Sequence, residues 1–157
     1  MTTSARLPLP PSLYADTAVE ATPTPPLTSD KTVPVAIIGG GFTGLSTALH
    51  LREANVDVAI VEAAEPGWGA SGRNNGQVIP TLSRPDPDDI IKRHGSAGER
   101  FVAMLRDSAA MLFEIVKRYD IAAEQEQAGW VQPVHSPGRI KIAERRVQQW
   151  SKFGASV

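Results

Sequence analysis

Three glycines and one carboxylate are the residues of this chain whose types and spacing could do chemistry. In Gly39-Gly40-Gly41-Phe42-Thr43-Gly44, the glycines at 39, 41 and 44 fit G-x-G-x-x-G, and Glu62 follows about 20 residues later. Such a turn brings backbone N–H groups and the positive end of a helix dipole to a ligand's phosphates. Gly39 permits the tight turn, Gly41 lets the backbone approach a pyrophosphate, and Gly44 lets the following helix lie close to the sheet. The Glu62 carboxylate would accept hydrogen bonds from ribose hydroxyls and would repel a 2′-phosphate, which disfavours NADP. The competing reading is a glycine-rich structural turn.

The elements needed to position these residues are present. Val35, Ala36, Ile37 and Ile38 form a short apolar run, expected as a parallel strand buried on both faces, with Pro34 tolerated at its start. A helix carrying Leu45, Ala48, Leu49 and Arg52 on one face is expected to follow, with Asn55 as its left-handed cap. Val58-Ala59-Ile60-Val61 then forms a second strand that ends at Glu62. The fold class implied is α/β, a Rossmann-like βαβ unit.

A second stretch, Ala63-Ala64-Glu65-Pro66-Gly67-Trp68-Gly69-Ala70-Ser71-Gly72-Arg73-Asn74-Asn75-Gly76-Gln77, has neither helical nor strand periodicity. Its small residues would let the backbone press along an extended ligand. Arg73, Asn74 and Gln77 add one positive charge and several donors. A loop leaving the acid-tipped strand must begin near the nucleotide. The alternative is a surface loop whose glycines only supply turns.

The GGGFTG turn, the glutamate and above all GWGASGRNNGQ resemble the amino-terminal part of the D-amino-acid-oxidase-like FAD-dependent oxidoreductases. The resemblance is nearest to the γ-glutamylputrescine oxidoreductase and glycine/D-amino-acid oxidase branch. Ser12-Leu13-Tyr14-Ala15-Asp16-Thr17-Ala18 is similar to the start of such proteins, and Asn75 departs from the branch, which usually has glycine there. The resemblance implies an FAD-binding first part of a longer oxidoreductase that oxidises the C–N bond of an amine or amino acid by hydride transfer to flavin. It implies that Gly39, Gly41 and Gly44, with the Phe42 and Thr43 amides, meet the pyrophosphate and that Glu62 meets the ribose. Ser71, Gly72, Arg73, Asn74 and Gln77 would line the path toward the ribityl chain and flavin ring. Some relatives link flavin through a histidine in the second motif, and none stands here, so the FAD expected is non-covalent. Substrate-orienting groups are expected outside this stretch, so no residue is assigned a catalytic role. The alternatives are a non-catalytic nucleotide-binding fragment and an NAD-dependent dehydrogenase using the first motif alone.

Composition narrows the classes further. The 157 residues would ordinarily make one domain, and 16 basic against 17 acidic residues, a net charge of −1, give no case for nucleic acid or an anionic membrane. Cysteine is absent, and His50, His94 and His135 have no partner at metal-ligand spacing, so no metal site is expected. The chain contains no apolar run of the ~18 residues a membrane span requires. Neither is there the apolar core of a signal peptide, and a cytoplasmic location is expected. Nothing in the pattern sets an oligomeric state.

Residues 1–32, rich in proline, threonine and serine, are expected to be an extended or disordered lead from which Leu13 and Tyr14 could dock. Residues 33–84 make the βαβ unit and cofactor loop, and residues 85–157 a helical segment that, as the resemblance implies, begins an α+β substrate domain and is expected to be truncated. There Asp86 and Pro87 read as N-cap and first helical residue, with Gly95 as the stop. Ser96-Ala97-Gly98-Glu99 matches a capping box. It opens a helix whose apolar face is expected to be Phe101, Met104, Leu105, Ser108, Leu112, Ile115 and Tyr119, the methionines serving as core filler. Gly129 to His135 alternates like an edge strand. A last helix should bury Ile140, Ala143, Val147 and Trp150 and end at Gly154.

Overall fold

The computed structural model describes residues 7–18 and 24–156. The chain forms two compact units, Met1–Gly76 and Gln77–Val157.

The first unit contains a short helix α1 (Leu13–Thr17), strand β1 (Val35–Ile38), helix α2 (Phe42–Glu53) and strand β2 (Val58–Val61). β1 and β2 pair in parallel, Val35 opposite Val58 and Ile38 opposite Val61, with α2 as the crossover. This is the α/β arrangement the apolar runs imply. Asn55 ends α2 at φ 60°, and the Val56 N–H donates back to the Leu51 carbonyl at 2.9 Å, so the left-handed cap forms as expected.

Two expectations for this unit are corrected. α2 buries Gly44 and Ala48 and leaves Leu45 and Arg52 exposed, because the strands are approached through its smallest residues. β1 is not buried on both faces. Val35 and Ile37 are half-buried, whereas Ala36 and Ile38 are exposed, Ile38 to 90%. Successive side chains of a strand point to opposite faces, and among the described residues of this unit only α2 covers the sheet.

The lead is also more ordered than its composition suggests, since Ser12 caps α1 by accepting a hydrogen bond from the Ala15 N–H at 3.2 Å. The expectation for residues 1–6 and 19–23 lies outside the described residues.

The second unit packs helices α3 (Pro87–His94), α4 (Ser96–Arg118) and α5 (Pro137–Lys152) around Ile90, Val102 and Trp150, with Leu82, Leu105 and Phe153 against them. Gly95 joins α3 to α4 at φ 55°. A Cβ on Gly98 would come within 2.7 Å of the Ile90 carbonyl oxygen, so the two helices approach where α4 has no side chain. That approach decides which side of α4 is covered. Gly98, Val102 and Val116 are buried, while Phe101, Met104, Leu112 and Tyr119 are exposed, and so is Met111. The buried face is thus turned by one residue, about 100°, from the expected one, and the methionines are not core filler. α5 likewise buries Gln149 and Trp150 and exposes Ile140 and Val147.

Local capping is revised as well. Ser96 is the first residue of α4, behind Gly95 as N-cap, so the capping box does not form. Asp86 is the N-cap residue of α3, but its side chain makes no cap bond. Its buried carboxylate accepts from Arg146 Nε at 2.7 Å, and Arg145 lies 3.5 Å away. Residues 129–135 form no strand. Pro133 removes one donor, and no described strand in this unit offers a ladder partner.

Candidate cofactor site

The site is built where β1 ends. The Gly39 N–H donates to the Val61 carbonyl at 2.8 Å, extending the ladder by one bond, and Gly39 then turns the chain at φ 101°. Only glycine takes that conformation without strain. α2 starts two residues after Gly40, and a Cβ on Gly44 would overlap the Gly39 carbonyl oxygen and stand 3.3 Å from Ile37 Cγ2. Gly44 therefore lets the helix sit directly against the strand end. Phe42, Thr43 and Gly44 fall in the first turn, where N–H groups have no acceptor within the helix.

Glu62 is joined to this turn by a bond that spacing alone could not reveal. Its Oε2 accepts from the Gly40 N–H at 2.6 Å and its Oε1 from the Ala64 N–H at 3.0 Å. These bonds hold its pKa below the ordinary 4.5, the Gly40 N–H contributing most, then that of Ala64, with desolvation opposing and Ala63 adding less. The side chain remains exposed. A carboxylate oxygen has two lone pairs, so each can still accept a hydroxyl from outside. The group is ionised, held in place and open to a diol.

The second glycine-rich loop docks on the first. The Gly67 N–H donates to the Gly40 carbonyl at 2.9 Å, and the Phe42 N–H donates to Ser71 Oγ at 3.0 Å. A Cβ on Gly41 would meet Ser71 Oγ at 2.9 Å, so Ser71 marks one limit of the space beside the turn. Gly67 turns at φ 80°, and a Cβ on Gly72 would overlap the Gly67 carbonyl oxygen, so the loop folds tightly on itself. A single 3₁₀ turn, Ala70–Gly72, carries Ser71 inward.

The polar residues of the loop have local partners. Asn74 Nδ2 donates to the Ser71 carbonyl at 2.7 Å, and its Oδ1 accepts from the Gly76 N–H at 2.7 Å. Arg73 Nε donates to the Gly69 carbonyl at 3.3 Å, and the guanidinium lies 5.1 Å from the centre of the Trp68 ring. Gly39, Gly41, Phe42, Thr43, Gly44, Glu62, Ser71, Gly72, Arg73 and Asn74 all belong to the first unit. Gln77 belongs to the second.

Two residues that spacing did not single out, Gly40 and Pro66, help build the site. Gly40 links Glu62 to the turn and leaves little room for a side chain, since a Cβ there would stand 3.2 Å from Pro66 Cα. Pro66 and Gly67 carry the second loop back onto Gly40. The signal available for Gly40 was the middle glycine of the triplet, at a position where the motif accepts any residue. Among the described residues no group of His, Asp or Glu could hold a metal ion. No described helix is long and apolar enough to cross a membrane.

The turn, the helix start and the carboxylate form one cluster of glycine backbone and exposed acceptor at the strand ends. It combines a left-handed glycine at a strand end, a helix start free of side-chain bulk at Gly41 and Gly44, and an ionised carboxylate at the tip of the next strand. Residues 34–157 match the family described as FAD dependent oxidoreductase. Gamma-glutamylputrescine oxidoreductase of Escherichia coli (strain K12) is 36% identical over 144 residues, which cover 91% of this chain and 33% of that protein. The probable oxidoreductase OrdL of Haemophilus influenzae (strain ATCC 51907 / DSM 11121 / KW20 / Rd) is 34% identical over 144 residues, again 91% of this chain and 33% of the relative. D-proline dehydrogenase of Pyrobaculum islandicum (strain DSM 4184 / JCM 9189 / GEO3) is 61% identical over 33 residues, covering 21% of this chain and 9% of the relative. The chain spans about a third of the length of the first two relatives. No solved structure matches it significantly.

Proposed function

Because the chain belongs to the FAD dependent oxidoreductase family, we propose that its first unit holds the ADP half of FAD in a protein that oxidises the C–N bond of an amine or amino acid. The observation that carries this reading is the Glu62 carboxylate, tied to the glycine turn by the 2.6 Å bond from the Gly40 N–H and still exposed. FAD, when bound, supplies the hydride acceptor, which no side chain of the chain can provide. Glu62 would accept the ribose hydroxyls. The Thr43 and Gly44 amides at the start of α2 would meet the pyrophosphate, assisted by the helix dipole, while the Phe42 N–H is already held by Ser71 Oγ.

Ser71 and Gly72 would hold the second loop along the cofactor. Asn74 braces that loop through both atoms of its amide, and Arg73 through its Nε and its stacking on Trp68. Gln77 keeps its role toward the flavin only as an expectation of the family resemblance. The substrate class rests on what two relatives are called, a gamma-glutamylputrescine oxidoreductase and a D-proline dehydrogenase. The FAD expected is non-covalent.

The test is the cofactor itself. Purified full-length protein carrying this sequence should be yellow and should release intact FAD on acid treatment. Recovery of NAD with no flavin would overturn the reading in favour of a nicotinamide enzyme.

A further inference from the structure

The lead segment is tied to the second glycine-rich loop by contacts that neither motif accounts for. Trp68 Nε1 donates to the Pro8 carbonyl at 2.9 Å, across a sequence separation of 60 residues. The same indole carries the Arg73 guanidinium on its face, so the tie to Pro8 fixes the ring on which Arg73 rests. Further along, Ser12 caps α1 and α1 sets the direction of Tyr14. Tyr14 Oη lies so close to Gly76 that a Cβ there would overlap it. The hollow between the two segments is lined by Leu9, Tyr14 and Ala15 on one side and by Pro66, Trp68 and Arg73 on the other.

A proline-rich segment with few large side chains would gain too little from burial to stay ordered. Here it meets the loop at both ends, at Trp68 and at Gly76. The loop is dense in glycine, a residue that loses much conformational freedom on folding, so an external brace on it has a clear thermodynamic use.

We propose that residues 8–18 form a strap that holds the Gly67–Gly76 loop in its flavin-receiving shape, with Trp68 and Tyr14 as positioning residues. The strap touches the loop from outside, and its residues need not contact the cofactor. This rests on the reading of that loop as part of the FAD site. A strap of this kind raises FAD affinity by removing disordered loop states before the cofactor arrives, which is preorganisation.

The experiment uses the full-length protein and two readouts, cleavage by trypsin after Arg73 in the absence of FAD and the Kd for FAD by quenching of flavin fluorescence. Trp68→Phe keeps an aromatic ring for Arg73 and removes the donor to Pro8 together with the indole's second ring. It should speed cleavage and raise the Kd about two- to tenfold, the range one neutral hydrogen bond supports, with the FAD-free protein still melting cooperatively within a few degrees of wild type. Tyr14→Phe should also relieve part of the defect of Gly76→Ala, since it deletes the atom nearest the added Cβ.

Unchanged cleavage after Arg73 in Trp68→Phe would overturn the strap whatever FAD does. Faster cleavage with an unchanged Kd would overturn its role toward the cofactor. Glu62→Ala separates this from the site reading. If that variant loses FAD while Trp68→Phe does not, the site stands and the strap fails. If wild-type protein binds no FAD, both fail together.

Discussion

Replacing Glu62 tests the cofactor site most directly, because the structure gives that side chain two separable tasks. It accepts the Gly40 N–H at 2.6 Å and the Ala64 N–H at 3.0 Å, and it remains exposed for a ribose diol. Gly40 is buried. In Glu62→Ala its N–H loses its acceptor, which costs about 1–3 kcal/mol for a group cut off from water. The exposure of the carboxylate side places this at the low end, since water can enter and screening is strong. Hydrogen bonds to an ionised acceptor contribute about 1.5–3 kcal/mol, and the same discount applies to the ribose contact. The ribose loss alone is then about 1.4 kcal/mol, a tenfold rise in the Kd for FAD, and loosening of the turn adds to it. Glu62→Gln keeps one oxygen for Gly40 but presents an NH₂ to the second donor, so its Kd should lie between those of wild type and Glu62→Ala.

The pH dependence of FAD affinity gives an independent sign. The Gly40 and Ala64 N–H groups hold the carboxyl below its ordinary 4.5. A depressed pKa means that the contribution of the ionised form is present above the unfolded value and is lost as pH falls through the lower folded one. Affinity should therefore still hold at pH 4.5 and weaken only as pH falls through the lower folded value, and Glu62→Gln should remove that acid-side loss. Fluorescence titration of the full-length protein at several pH values measures both effects. A Kd unchanged in both variants would refute the assignment of Glu62 and reduce the glycine turn to a structural feature.

Gly44→Ala should be more damaging than its size suggests. The added Cβ would overlap the Gly39 carbonyl oxygen, a backbone atom that cannot rotate away. Overpacking of this kind costs about 1–3 kcal/mol, so a lower melting temperature and loss of FAD retention are expected, and an unchanged melt would refute the packing role. In the second unit, Arg146→Met strands the buried Asp86 carboxylate, which then keeps only Arg145 at 3.5 Å. Denaturant unfolding should show a loss of about 3 kcal/mol, and adding Asp86→Asn should restore much of it, since breaking a buried pair costs more than replacing both partners.

What the sequence determined by itself is the part of the protein governed by local sterics and hydrogen bonding. The positive φ values at Gly39, Asn55, Gly95 and Gly154 occur where a turn or helix end was read, because those backbone conformations select glycine or asparagine regardless of what lies nearby. The two apolar runs and the position of Glu62 at the end of the second were legible as well, and the crossover helix between them allows the runs to pair in parallel. Tertiary structure decided whatever depends on a partner remote in the chain. Gly98 rather than the expected apolar face sets how α4 packs, because a close helix crossing is won by the smallest residue. Asp86 leaves its capping bond for Arg146, a residue 60 positions away, because a buried carboxylate gains more from a guanidinium than from a helix end. Residues 129–135 alternate like a strand and yet form none, since a ladder needs a neighbour that alternation cannot supply. The docking of Trp68 on Pro8 and of Ser71 on Phe42 belongs to the same class. Each bond joins segments remote in the chain, and nothing in either segment's own sequence names its partner.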